Sequence, residues 1–242
     1  MPTMRILLGS GGNRTQERQA LWRSEAATLY GSVARVLFIP WAIVDHDGYE
    51  QKMNDLFEGT GITFESIHHA DDPVEAVRSA DGVYVGGGNT FLLARSLHHF
   101  GVIEAIRTRV LKEGLPYMGV SAGSNVACPT MQTTNDMPVV FPGSFETLSL
   151  VPFQVNAHYY PGAIWSKDEA TFTEHFGETR QDRIAEFHQH NSRPVVGLRE
   201  GAFLRCDETS VVLRGGRATV FFQGLPPVEQ DAEADLSSLL AT

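Results

Sequence analysis

The first two-thirds of the chain alternates short apolar runs with longer amphipathic ones, and this predicts strands and helices in turn. Residues 5–8 read as a strand closed by the turn Gly9-Ser10-Gly11-Gly12-Asn13, and residues 16–30 carry the period of an amphipathic helix. Further strands are expected at 34–39, 62–67, 82–85 and 116–120. Further helices are expected at 49–57, 73–79, 90–99, 102–112 and 122–127. Pro73 falls in the first turn of its helix, where its missing N–H is no loss. Strands separated by helices imply an α/β fold of three layers, a mostly parallel sheet with helices on both faces.

After residue 128 the pattern loosens. Residues 129–152 are rich in Pro, Thr, Gly and Phe and read as a long loop, the kind of segment that carries function. Residues 194–198, 202–205, 210–213 and 218–222 read as short strands separated by turn residues such as Gly215-Gly216, an antiparallel C-terminal extension of the sheet. The tail, 229–242, is acidic and then apolar, and reads as a terminal helix or a flexible end. With no repeat and no linker, one domain over 1–242 is expected.

Composition narrows the function classes. Hydrophobic content of 42% and charged content of 20% are ordinary for a globular protein. A formal net charge of −10 disfavours nucleic acid and anionic membranes as partners. Cys128 and Cys206 are too few for a disulfide framework and fit a reducing compartment. No apolar stretch reaches the length of about 18 residues that marks a membrane helix, and residues 1–5 lack a signal-peptide core. The expected setting is the cytoplasm.

The most chemically informative stretch is Gly119-Val120-Ser121-Ala122-Gly123. It is a G-x-S-x-G pattern between a strand and a helix, the context of a nucleophile elbow. On local sequence alone, a serine capping a helix is an equally good reading. A serine nucleophile needs a base, a group to orient the base, and an oxyanion site. His158 closes the alternating run Gln154-Val155-Asn156-Ala157-His158 and can project from a strand end. Two carboxylates are candidates for the third member: Asp136 in Thr133-Thr134-Asn135-Asp136-Met137-Pro138, and Glu200 in Gly197-Leu198-Arg199-Glu200-Gly201. Residue chemistry leaves both open.

Gly86-Gly87-Gly88-Asn89-Thr90 ends a strand and opens a helix. Phe91 breaks a G-x-G-x-x-G dinucleotide pattern, so an oxyanion loop is the better reading, with the N–H groups of Gly88 and Ala122 as donors. His68-His69, His98-His99 and His188-Gln189-His190 lack H-E-x-x-H spacing and paired cysteines, so they read as surface histidines and no metal is expected.

Taken together and in order, Gly86 to Phe91, Ser121-Ala122-Gly123, Ala127-Cys128-Pro129-Thr130, Thr133 to Pro138, Asn156-x-His158 and Gly177-Glu178-Thr179-Arg180 resemble the peptidase E family of α-aspartyl dipeptidases. The resemblance runs from about residue 35 to residue 201. It implies a fold similar to class I glutamine amidotransferases and cofactor-free, metal-free hydrolysis of dipeptides with an N-terminal aspartate. It implies Ser121 as nucleophile, His158 as base, and Asp136 and Glu200 as the essential carboxylates, one orienting His158 and the other holding the substrate's amino group. Arg180 is the implied clamp for the substrate's β-carboxylate, with Asn89 and Thr134 also at the substrate. The chain departs from the family pattern at Val120, where an aromatic is common, and at Ser124, where alanine is. A monomer or homodimer is expected. Two rivals share these motifs: a cyanophycinase-like hydrolase of β-aspartyl-arginine bonds, and a non-catalytic amidotransferase-like binding protein.

Overall fold

The computed structural model describes residues 3–241; Met1 and Pro2 of the N-terminal stretch and Thr242 of the tail lie outside them. The chain begins with the unit β1 (Ile6–Gly9), α1 (Gln16–Tyr30), β2 (Arg35–Ile39), α2 (His46–Leu56) and β3 (Thr63–Ser66), followed by a 3-10 turn at Ile67–His69. It continues with α3 (Pro73–Ser79), β4 (Val83–Val85), α4 (Thr90–His99), α5 (Ile103–Glu113), β5 (Tyr117–Val120) and α6 (Ala122–Ala127). The remainder is β6 (Gln154–Ala157), β7 (Ile164–Asp168), β8 (Thr171–His175), α7 (Arg180–Phe187), β9 (Val195–Leu198), β10 (Phe203–Cys206), β11 (Val211–Arg214), β12 (Ala218–Phe221) and β13 (Val228–Gln230), ending in a 3-10 turn at Ser237–Ala241.

Seven strands form the main sheet in the order β11-β10-β1-β5-β4-β2-β3. The five from β1 to β3 are mutually parallel, and β10 and β11 extend the sheet antiparallel. The two-residue period of a strand sends alternate side chains to opposite faces. Thus Ile6 and Leu8 of β1, with Val83 and Val85 of β4, pack with α3 to α6. Leu7, Tyr84 and Met118 point the other way, under α1 and α2. Helices therefore cover both faces, as the alternation predicts.

The C-terminal strands divide differently from the expected single extension. Only β10 and β11 join the main sheet; β9 and β12 belong to a second sheet of order β13-β12-β9-β6. Within it β6 and β9 run parallel, with Ala157 opposite Leu198. Val155, Val196, Leu198 and Val220 bury one face of this sheet in the main core. Tyr159, Val195 and Phe221 bury the other against Ile184 of α7. The tail is β13 plus the last 3-10 turn, pinned by buried Leu236 and Leu239 rather than forming an α-helix.

The strands β7 and β8 and the helix α7 have no counterpart among the expected elements. The hairpin β7-β8 is exposed along both strands, so burial imposed no alternation on it. Helix α2 starts three residues before the expected 49, because Asp45 caps it by accepting from the Gly48 N–H. Residues 129–152 contain no helix or strand, yet they are stitched to α6: Leu148, Ser149 and Leu150 donate to the carbonyls of Val126, Cys128 and Ala127. Among the described residues no helix is long and apolar enough to cross a membrane.

This topology gathers the chemistry at one edge. From β2 the chain moves outward to β3, and from β4 it returns to β5, so a crevice opens at the carboxyl ends between them. The loop 86–89 lies there, and Ser121 leaves the carboxyl end of β5 beside it. His158 follows β6 and Glu200 follows β9, the paired strands of the second sheet.

Candidate active site

Ser121 sits at the strand-to-helix corner with φ 55° and ψ −111°. A non-glycine residue there stores roughly 1–3 kcal/mol of backbone strain, which persists only because the surroundings hold it. Its N–H donates to the Gly9 carbonyl of β1 at 2.9 Å, fixing the corner to the sheet. The flanking glycines serve close approach: a Cβ on Gly119 would lie 2.4 Å from the Gly123 carbonyl oxygen, and one on Gly123 would lie 2.1 Å from that of Val85. Ser124, one of the two departures from the family pattern, is buried and donates to the carbonyls of Gly9 and Gly119 at 2.7 and 2.8 Å. It ties α6 to the two strands below the corner.

His158 Nε2 stands 2.7 Å from Ser121 Oγ, and His158 Nδ1 stands 2.6 Å from Glu200 Oε1. The three side chains therefore form one continuous hydrogen-bonded line. The His158 hydrogen bond holds the Glu200 carboxyl below the usual glutamate range; partial burial opposes this, and the charges of His158, Arg18 and Arg14 assist it. His158 is itself held at φ 56°. Its N–H donates to Ser10 Oγ at 2.8 Å, and Ser10 Oγ donates in turn to the Leu198 carbonyl at 2.8 Å. Fully buried Ser10 thus joins the ends of β6 and β9, from which His158 and Glu200 project. Gly11 and Gly12 let this turn pass close by: a Cβ would lie 2.8 Å from His158 Cε1 at the first and 2.4 Å from Glu200 Oε2 at the second. Sequence reasoning missed Ser10, which reads there as one small residue in a glycine-rich turn.

Asp136 lies elsewhere. Its Oδ2 accepts from the Thr90 N–H at 2.7 Å, Thr90 Oγ1 at 2.6 Å and Thr134 Oγ1 at 3.1 Å. Buried Asn125 joins this bed by donating to both threonine hydroxyls at 3.3 Å. All three bonds use Oδ2, so Oδ1 is uncommitted among the described residues. Asn89 caps α4 by accepting from Phe91 and Leu92, and its amide donates to the Met137 carbonyl at 2.9 Å. Asn89 and Thr134 therefore brace Asp136 and its loop.

In the glycine loop, the Gly87 N–H donates to Tyr49 Oη at 2.9 Å and the Asn89 N–H donates to the Ala42 carbonyl at 2.8 Å. Among the described residues neither the Gly88 N–H nor the Ala122 N–H donates to a protein acceptor. Gly87 lies against the serine, since a Cβ on it would be 3.0 Å from Ser121 Cβ. Gly88 adopts φ 137° and abuts the Ala42 carbonyl, which no other residue type accommodates. Tyr49, also absent from the sequence reading, positions this loop from α2.

Arg180 is the first residue of α7, fixed by the Thr179–Asp182 capping box and by burial of Ile184. Its guanidinium lies 5.4 Å from the Tyr160 ring centroid and makes no ion pair among the described residues. Partial burial holds its pKa below the usual arginine range, while Tyr160 and then Asp136 act in the opposite direction. Asp136 is therefore near enough for its charge to be felt at Arg180. A cation with no ion pair, within reach of the charge of a carboxylate that keeps one oxygen open, can grip a small zwitterion.

The model of the family described as Peptidase family S51 matches residues 5–214. The chain is 43% identical over 241 residues to "Peptidase E" of Streptomyces coelicolor, covering 98% of this chain and 95% of that one. It is 43% identical over 221 residues to "Probable alpha-aspartyl dipeptidase" of Drosophila melanogaster, covering 90% and 89%. Its fold is similar to the crystal structure of a peptidase from an acI-B1 Actinobacterium, with TM-score 0.68 and 17% identity over 97% of each chain. A putative peptidase E protein from Listeria monocytogenes is similar at TM-score 0.63 and 21% identity, covering 88% of this chain and 98% of that one. Matched by the family model over most of its length and by full-length relatives at 43% identity, this chain belongs to peptidase family S51.

Proposed function

We propose that this protein is a serine dipeptidase that releases N-terminal aspartate from Asp-X dipeptides through an acyl-enzyme on Ser121. The observation that carries this reading is the line Ser121 Oγ–His158 Nε2 at 2.7 Å and His158 Nδ1–Glu200 Oε1 at 2.6 Å. In it, His158 takes the Ser121 proton as Oγ attacks the aspartyl carbonyl, and Glu200 holds the imidazole and stabilises its charged form. The Gly88 and Ala122 N–H groups receive the oxyanion; the commitment of Gly87 and Asn89 to other acceptors supports this choice. His158 then protonates the leaving amine, water attacks the ester, and aspartate departs.

Substrate choice rests on the second cluster. Asp136 Oδ1 receives the substrate's α-ammonium and Arg180 its β-carboxylate. Support comes from the lack of an ion pair on Arg180 and from the three donors that keep Asp136 in place. The two buried free cysteines fit a cytoplasmic enzyme, acting as a monomer or homodimer on small peptides.

A panel of Asp-Leu, Glu-Leu, Ala-Leu and β-Asp-Arg tests the reading. Asp-Leu should be cleaved alone or far faster than the others, and Arg180→Ala should raise its KM with the fold intact. Equal cleavage of Asp-Leu and Ala-Leu refutes the aspartate selectivity, and preferential cleavage of β-Asp-Arg moves the protein to the cyanophycinase-like class.

A further inference from the structure

We infer that Asp47, His68 and His69 form a binding site for a divalent first-row cation, zinc fitting best, outside the catalytic cluster. Asp47 Oδ1 lies 3.0 Å from His68 Nε2 and 3.7 Å from His69 Nε2, and one donor atom from each residue falls within 4.8 Å of the others. Donors bonded to one zinc ion at about 2.0–2.2 Å stand roughly 3–4 Å from one another. Glu50 Oε2, 2.9 Å from His69 Nε2, adds a second carboxylate on the same side.

Local structure brings these groups together from two elements. Asp47 and Glu50 are three residues apart near the start of α2 and share a face. His68 and His69 occupy the 3-10 turn directly after β3. The supporting shell is also present. Ser66 Oγ meets His68 Nδ1 at 2.5 Å, leaving Nε2 as the atom aimed at Asp47. The Ser66 N–H donates to Glu50 Oε1 at 2.8 Å and fixes that carboxylate. Outer partners of this kind orient metal-bound histidine and carboxylate.

The donor geometry favours one shared cation. The two imidazole rings, with centroids 3.8 Å apart and planes tilted by 40°, both bring Nε2 to the same Asp47 oxygen. One shared cation satisfies both rings and the Asp47 carboxylate together. Imidazole with carboxylate is a donor set for zinc and its neighbours, whereas calcium and magnesium take oxygen. A cavity of about 590 Å³ lined by Glu50, Ser66 and His69 adjoins the cluster and gives water access to complete the shell. From sequence, His68-His69 reads as a surface pair because Asp47 lies about 20 positions away in the chain, on another element. Tyr49, on the same turn of α2, holds the Gly87 N–H, so a cation fastening α2 to β3 also braces the glycine loop against Ser121.

The test is calorimetric titration of the metal-free full chain with zinc chloride, and cobalt(II) absorption to report the ligands. Native protein should bind one zinc per chain and gain thermal stability. Asp47→Ala and His69→Ala should weaken binding at least about tenfold, the loss that even an outer partner can cause. Both side chains are largely exposed, at 82% and 57%, so the metal-free variants should melt like the native protein. His98→Ala/His99→Ala and His158→Ala should leave zinc binding unchanged. Absence of binding to the native chain, binding that survives Asp47→Ala and His69→Ala, or binding lost in His158→Ala would overturn the assignment.

Discussion

Glu200 Oε1 lies 2.6 Å from His158 Nδ1, across the carboxyl ends of two parallel strands that pair at Ala157 and Leu198. The relationship is set by the second sheet: β6 delivers the histidine, β9 delivers the glutamate, and Ser10 clasps both strand ends. Asp136, the other carboxylate expected near the histidine, instead bonds Thr90 and Thr134. The two acids thus occupy separate environments and should fail differently.

Glu200→Gln keeps the shape and removes the charge that supports a protonated His158. It should lower kcat by about three to four orders of magnitude with little change in KM, as loss of the orienting carboxylate does in other serine hydrolases. Asp136→Asn should act mainly on KM for Asp-Leu, because in the proposed function Asp136 holds the substrate's ammonium group. Steady-state kinetics on the two variants gives the split; the reverse pattern would exchange the roles of the two acids.

The lowered Glu200 pKa also predicts a pH dependence of stability. A carboxyl depressed below its ordinary value of 4.5 contributes stability that is fully present above that value. The contribution is lost as pH falls from there through the folded-state value. The melting temperatures of native protein and Glu200→Gln should therefore differ by a constant amount near neutral pH and converge below about 4.5. The Glu200 side chain is 44% exposed, so the gap should be small and should shrink with added salt. A gap that widens on acidification contradicts the sign.

Neighbouring glycines in the loop should separate catalysis from folding. A methyl at Gly87 meets Ser121 Cβ at 3.0 Å, the Val120 carbonyl oxygen at 3.2 Å and Ser121 Oγ at 3.5 Å, so Gly87→Ala should crowd the nucleophile and lower kcat with a smaller loss of stability than a change at Gly88. At Gly88 the φ of 137° and a 2.4 Å clash with the Ala42 carbonyl oxygen force the backbone to move. Gly88→Ala should cost about 1–3 kcal/mol of stability as well as activity. Kinetics paired with thermal melts reads both; equal melting temperatures for the two variants would count against the conformational argument.

The corner at Ser121 and the glycine loop were legible in sequence because strand, turn and helix signals coincide within a few residues. The parallel half of the main sheet was legible for the same reason, its apolar runs being separated by helix-length segments. The choice between Asp136 and Glu200 was not, because it depends on pairing between β6 and β9, which lie about 40 residues apart. The runs that became β9 and β12 are as apolar as β10 and β11, so pattern alone placed all four in one sheet. Ser10 and Tyr49 act through a backbone amide each, which leaves no spacing motif.

The proposed activity rests on attack of Ser121 Oγ on the aspartyl carbonyl. Its most direct test is hydrolysis of Asp-Leu by Ser121→Ala, purified and shown by its melting profile to be folded. Ser121 Oγ accepts or donates only to His158 among the described side chains, so its removal should leave the fold intact and abolish turnover. Near-native hydrolysis by the folded variant would exclude Ser121 as the nucleophile.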